Sequence, residues 1–253
     1  MPTLLGIYFQ HFGKHAEDNK PPVILIHGAG GSHLYWPANI RRLIGYEVYA
    51  LDLPGHGRSS RALQDTILAY AESVDEWMAA AGLQKAIVIG HSMGSAIALT
   101  LALENPQLIA GLGLLGAGAR LKVNPQILDQ IGDAETFLAT VNKVTKWSFS
   151  SLAPEILTAL AEKRLAEAGP QVLHADFWAC NAFDITADLG QIKQPALIIC
   201  GQEDKMTPVQ ESRFLAENIP HARLELVPEA GHMVMLEKPE HVAHLLDGFL
   251  STF

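Results

Sequence analysis

Cysteine, basic charge and long apolar runs are all scarce in this chain. Two cysteines in 253 residues, Cys180 and Cys200, are too few for a disulfide framework. Cys200 ends an unbroken apolar stretch, where a buried free thiol is expected. Lys and Arg total 18 against 27 Asp and Glu, and the net charge of −9 is broken by no basic cluster. That balance opposes phosphate backbones and anionic lipid surfaces, so neither nucleic acid nor membrane is expected as a partner. No apolar run approaches the roughly eighteen residues of a membrane span, and residues 1–6 have no basic segment ahead of an apolar one. Cytoplasmic residence is the resulting expectation. The phosphate-loop pattern G-x-x-x-x-G-K-[ST] and a dinucleotide fingerprint are missing, and no pair of histidines has metal-ligand spacing with a carboxylate. Neither cofactor nor metal is expected.

What the chain does have is a 49% hydrophobic composition arranged in short blocks. Continuous apolar runs at 23–26, 48–51, 86–89, 109–115 and 196–201, with a last strand at 223–228, alternate with helical spacing at 34–44, 66–81, 93–104 and 239–250. Strands without polar alternation are buried on both faces. The fold class is therefore α/β, a mostly parallel central sheet flanked by helices. Residues 4–12 should add a hairpin or edge strand, and 14–22 a polar, proline-ended loop.

After Gly118 the alternation stops for about seventy residues. Three-and-four spacing takes over at Phe137, Val141, Val144 and Trp147, at Leu157, Leu160, Ala161, Leu165 and Ala168, and at Leu173, Phe177 and Cys180. Pro125, Pro154 and Pro170 each stand near a helical start. The expected organisation is a core of residues 1–120 and 191–253 with a helical cap of about four short helices at 121–190. Most cap aromatics should close its own core, and two or three large side chains should line a substrate cavity; the candidates are Phe137, Trp147, Phe177 and Trp178. Phe177 and Trp178 are adjacent on one helix, so at most one should face the cavity while the other packs within the cap.

Chemistry concentrates at the ends of the apolar runs. The run ending at Ile89 leads into Gly90-His91-Ser92-Met93-Gly94 and then a small-residue helix. A G-x-S-x-G turn between a strand and a helix is a nucleophile elbow, which makes Ser92 the candidate nucleophile. The loop His27-Gly28-Ala29-Gly30-Gly31-Ser32 follows the first core strand, and its small residues let backbone N–H groups approach a ligand. His33 follows that loop, where it could reach substrate. The turns at 52–59, including His56, read as structural, with His56 a solvated loop residue. Asp204 lies just past the 196–201 run, with Glu203 beside it as the alternative acid, and His232 lies in a glycine-bearing loop after the last strand. The carboxyl ends of parallel strands share one edge, so Ser92, Asp204, His232 and the Gly28 loop should meet there.

In that order, nucleophile then acid then histidine, the chain resembles the α/β-hydrolase superfamily over essentially its whole length. It is most similar to the cofactor-free carboxylesterase-like branch that includes haloperoxidase-type esterases, enol-lactonases and carbon–carbon bond hydrolases. Ser92 stands where dehalogenases and epoxide hydrolases of similar build carry an aspartate, and Ala96 where the menaquinone-pathway lyase branch has an arginine. Ser95 replaces a second trailing glycine and should do little beyond tightening the helix start. The resemblance implies an acyl-enzyme on Ser92, with His232 as base, Asp204 orienting it, and the N–H groups of Ala29 and Met93 as oxyanion donors, Gly30 being a nearby candidate. Small to medium, mostly apolar esters or lactones are the expected substrates, for a monomer or homodimer. Two alternatives stand: a carbon–carbon bond hydrolase of a vinylogous diketone acid, for which Arg120 is the nameable carboxylate anchor, and a weakly catalytic small-ligand receptor of the same fold.

Overall fold

The computed structural model describes residues 2–13 and 20–253, so positions 14–19 of the loop expected at 14–22 lie outside the described residues. Eight strands make one sheet: β1 (Thr3–Leu4), β2 (Ile7–Phe12), β3 (Val23–Ile26), β4 (Val48–Leu51), β5 (Ala86–His91), β6 (Ile109–Leu115), β7 (Ala196–Gly201) and β8 (Ala222–Val227). Their spatial order is β1-β2-β4-β3-β5-β6-β7-β8. β1 and β2 are antiparallel at one edge, and the strands from β4 across to β8 are parallel. Every residue of β3, β5 and β7 is buried. Successive side chains go to opposite faces, so Val23, Leu25, Ile87, Ile89, Leu197 and Ile199 join one core, while Ile24, Ile26, Val88, Leu112, Leu114 and Ile198 join the other. Two packed faces leave no position for the polar alternation of a half-exposed strand, which is why these runs read as continuous.

Ten helices accompany the strands among the described residues: α1 (Ala38–Arg41), α2 (Ile67–Ala80), α3 (Met93–Glu104), α4 (Pro125–Ile131), α5 (Phe137–Ser148), α6 (Glu155–Ala168), α7 (Pro170–Ala182), α8 (Val209–Asn218), α9 (Val234–Glu237) and α10 (Pro239–Leu250). α2 starts where Thr66 caps it, its hydroxyl accepting the Ala69 N–H at 3.1 Å. α3 is apolar around its whole girth and buries all residues from Met93 to Ala102, as a helix lying between a sheet and another layer must. The helix expected at 34–44 is not continuous. A 3₁₀ turn at His33–Tyr35 ends at Trp36, which is extended at φ −87° and ψ 120°, and α1 begins only after Pro37. Proline bars the preceding residue from helical geometry and offers no N–H, so the helical spacing there breaks in two.

α4 to α7 occupy the stretch between β6 and β7, adjacent strands in the sheet. Pro125 and Pro170 stand in the first turns of α4 and α7, and Pro154 caps α6. These helices close on Ile127, Ile131, Phe137, Val141, Leu173 and Phe177.

Candidate active site

The turn from β5 into α3 holds Ser92 at φ 53° and ψ −117°, a region that costs a residue with a β-carbon roughly 1–2 kcal/mol. The residues two places before and after it must be glycine. A β-carbon on Gly94 would strike the backbone oxygens of Ile26 and His27, and one on Gly90 the carbonyl of Gly94. The Ser92 N–H donates to Leu115 O at 2.9 Å, and its carbonyl accepts from Ser95 and Ala96. Ser95 tightens the helix start by direct bonding, its hydroxyl reaching Gly90 O at 2.7 Å and Leu115 O at 3.1 Å. Ser92 Oγ itself has no hydrogen-bond partner among the described residues and faces a cavity.

Asp204 sits in the loop after β7 and is 6% exposed. One carboxylate oxygen accepts the backbone N–H groups of Met206 (2.9 Å) and Thr207 (2.8 Å); the other accepts the Thr207 hydroxyl (2.9 Å) and faces His232 Nδ1 at 2.9 Å. Burial alone would raise this carboxyl, but His232 and the Thr207 donors outweigh it and hold Asp204 below the ordinary carboxylate range. The proton of neutral His232 therefore sits on Nδ1, which leaves the Nε2 lone pair free. The loop carrying His232 is fixed by Gly231 N–H donating to Glu237 at 2.8 Å, by Met233 N–H donating to Ser148 O at 3.0 Å, and by His91 Nε2 donating to the His232 carbonyl at 3.0 Å. Burial, followed by the nearby His232, lowers His91 to about 3, so it remains neutral. Glu203 points elsewhere: its carboxylate accepts from the N–H and hydroxyl of Ser151, both at 2.9 Å.

The Gly28 loop is set from beneath. His27 Nδ1 donates to Gly28 O at 2.8 Å, while its Nε2 accepts from Leu53 N at 3.0 Å. One ring nitrogen giving and the other receiving makes His27 neutral, in keeping with a pKa lowered to about 4 by burial and then by His56. Gly28 O also accepts from Gly31 N at 3.1 Å. In a trans peptide the N–H points away from the C=O, so fastening Gly28 O inward turns the Ala29 N–H outward. Neither the Ala29 nor the Met93 N–H has an acceptor among the described residues. Gly30 does: its N–H donates to Asp176 at 2.7 Å, and it is no free donor.

Two spaces border Ser92. A chamber of about 60 Å³ is lined by Ser92, His232, His91, Ser148, Phe149 and Leu165, among others. A cleft of about 370 Å³, also bordered by Ser92, Ala29, Phe177 and Met206, is lined as well by Ile127, Trp147, Lys122 and Lys205. Phe177 borders both and Trp147 the larger. Phe137 and Trp178 border neither. Phe137 packs into the α4–α7 cluster. Trp178, one residue and about 100° around α7 from Phe177, is 47% exposed and donates its indole N–H to His174 at 3.0 Å. It is therefore at the surface rather than inside a cap core. Arg120 is exposed outside both spaces, in an isolated bridge with Asp184. His33 is buried against Asp52 (2.7 Å) rather than turned towards a substrate. His56 is not solvated either: it is 3% exposed and pairs with Asp176 at 2.8 Å. Thr207 and His91 were not singled out from the sequence, nor was Asp176. Their only signal was placement, Asp176 being a carboxylate on the apolar stripe of Leu173, Phe177 and Cys180.

A family model described as alpha/beta hydrolase fold matches residues 21–239. RutD of Caulobacter sp. (strain K31), whose name assigns it carbamate hydrolysis provisionally, is 31% identical over 98% of this chain and 97% of its own. The 2-hydroxy-6-oxo-6-phenylhexa-2,4-dienoate hydrolase of Burkholderia cepacia is 30% identical over 90% of this chain and 87% of its own. A solved thermophilic esterase superposes with a TM-score of 0.83 at 31% identity, covering 99% of this chain and 96% of that one. Against ABHD8 of Bos taurus, 30% identical, the match takes in 90% of this chain and 55% of that protein, about half its length.

Proposed function

This chain belongs to the alpha/beta hydrolase family, and on that premise we propose that it cleaves carboxylic esters or lactones of small to medium, mostly apolar substrates through an acyl-enzyme on Ser92. One observation carries the reading: His232, held by a buried Asp204 with Nε2 left free, borders the same chamber as a strained and unpartnered Ser92. His232 takes the hydroxyl proton as Ser92 Oγ adds to the acyl carbon, and Asp204 stabilises the imidazolium. The oxyanion forms against the Ala29 and Met93 N–H groups, two donors already free and fixed. Collapse expels the alkoxide, which leaves with the proton from His232. Water, deprotonated by the same histidine, then attacks the acyl-enzyme and releases the acid. No Ser92–His232 hydrogen bond is present in the resting protein, as is common before substrate arrives.

Residues 121–190 act in this reading as a cap that roofs Ser92 and removes water from the acyl group. The 60 Å³ chamber suits a short acyl chain and the 370 Å³ cleft the larger remainder. Cytoplasmic residence belongs to the same proposal, because Cys180 and Cys200 are buried free thiols that a reducing compartment preserves. A second reading, cleavage of a carbon–carbon bond in a carboxylate-bearing substrate, draws on Lys122 and Lys205 at the cleft rather than on Arg120. Hydrolysis of p-nitrophenyl acetate and butyrate by the protein and its Ser92→Ala variant tests the first. Turnover by the unaltered protein no faster than by the variant refutes it and favours a binding role.

A further inference from the structure

Asp176, on α7, is fully buried 146 residues from the loop that it touches. Its Oδ2 accepts the Gly30 N–H at 2.7 Å and faces His56 Nε2 at 2.8 Å, while Oδ1 accepts the Tyr70 hydroxyl at 2.7 Å. His56 Nδ1 in turn faces the Pro54 carbonyl at 2.9 Å, an oxygen that can only accept. With both ring nitrogens aimed at acceptors, His56 carries two protons and supplies the buried carboxylate with a counter-charge. Burial works against that charge, but Asp176 and the Pro54 carbonyl outweigh it and raise His56 above its ordinary value. Burial and Asp176 also push the Tyr70 hydroxyl upward, so it stays a donor. Three donors from three separate elements thus converge on one side chain of α7.

We infer that Asp176 is a positioning residue that couples the α7 helix to the Gly28–Gly31 loop and so fixes the Ala29 N–H at the site where the oxyanion develops. The inference rests on the ester-hydrolase reading above for its consequence in catalysis. Gly31 N–H and His27 hold one end of the 28–29 peptide, and Asp176 holds the peptide that follows it. Phe177, the next residue, borders both the chamber and the cleft, so the same anchor fixes a wall of the site. Donors preset at the oxyanion position act without reorganising, and the loop between two such anchors has little freedom to drift.

Asp176→Ala removes the carboxylate and leaves the Gly30 N–H, His56 and Tyr70 with no acceptor at this position. The expected result is a fall of about 10–100-fold in kcat for p-nitrophenyl acetate with KM within about twofold, because the oxyanion exists only beyond the ground state. In ¹⁵N-labelled protein the Gly30 amide should exchange with solvent about tenfold faster or more in the variant. Tyr70→Phe removes only a donor to Oδ1 and should leave kcat within about threefold of the unaltered protein. A folded Asp176→Ala protein with unchanged kcat, or with a raised KM alone, overturns the inference. If the variant does not fold, the unaltered protein decides: a Gly30 amide exchanging at the rate of an open loop overturns it, and a protected one supports it. Should the unaltered protein hydrolyse no ester, the hydrolase reading fails by itself, and the Gly30 exchange rates still report whether the anchor exists.

Discussion

Gly116 offers a way to move His232 without touching it. The residue follows β6 at φ +54°, and a β-carbon there would lie 2.9 Å from both Cε1 and Nδ1 of His232 and 3.5 Å from Asp204 Oδ2. Carbon contacts settle near about 3.5–4.0 Å, so Gly116→Ala forces the imidazole or the backbone to yield by roughly 0.6 Å or more. Nδ1 is the atom that bonds Asp204, and its displacement turns Nε2 away from Ser92. A misplacement of about 1 Å costs on the order of 10²-fold in rate, so kcat for p-nitrophenyl acetate should fall by about 10–100-fold. The left-handed backbone adds roughly 1–2 kcal/mol of destabilisation, or about 2–8 °C in Tm for a chain of this size. Gly248→Ala is the matched control: it lies in α10, nothing stands within 4 Å of where a β-carbon would project, and it should keep full activity. Activity within about twofold of the unaltered protein, at the expected loss of Tm, would falsify the placement of His232 as the base.

Two further outcomes follow from burial. His27 and His91, lowered to about 4 and about 3, are neutral when folded and bind protons on unfolding below about pH 6.5. Each should therefore remove stability at up to about 1.4 kcal/mol per pH unit as pH falls from about 6.5 towards those values. His56, raised in the folded state, acts with the opposite sign and loses its contribution as pH rises through its folded value. Chemical denaturation between pH 4 and 8 checks this, and a flat acid limb would contradict it. Phe177→Ala should alter the preference across an acyl-length series because the ring borders both spaces, whereas Trp178→Ala, at a half-exposed ring outside them, should leave the profile unchanged. A profile that shifts with Trp178 and not with Phe177 would reverse the assignment.

What the sequence made legible was mostly local. β5, the turn at Ser92 and α3 are contiguous, and α3 occupies the expected 93–104, because an apolar run, two glycines and a small-residue helix specify one another over a few residues. Asp204 and His232 could be brought to one edge because parallel strands share their carboxyl ends, and the two are hydrogen-bonded there. Contacts made across the chain left weaker marks. His56 reads as a loop residue between turn glycines, and nothing near it announces a carboxylate 120 residues away. Asp176 did leave a trace, as a charge on an apolar helical stripe, which signals a buried partner without naming it. The directions of Phe177 and Trp178 depended on the rotation of α7 about its axis, and spacing alone leaves that phase open. At 34–44, helical spacing outweighed Pro37 in the reading, and in the fold the proline prevailed.

The proposed hydrolysis turns on a covalent intermediate at Ser92. Inactivation with a p-nitrophenyl alkylphosphonate, followed by peptide mass mapping, tests it most directly. One adduct is expected, on Ser92, formed in proportion to lost activity and absent from Ser92→Ala. An adduct on Ser32 or Ser95, or full inactivation with Ser92 unmodified, would contradict it.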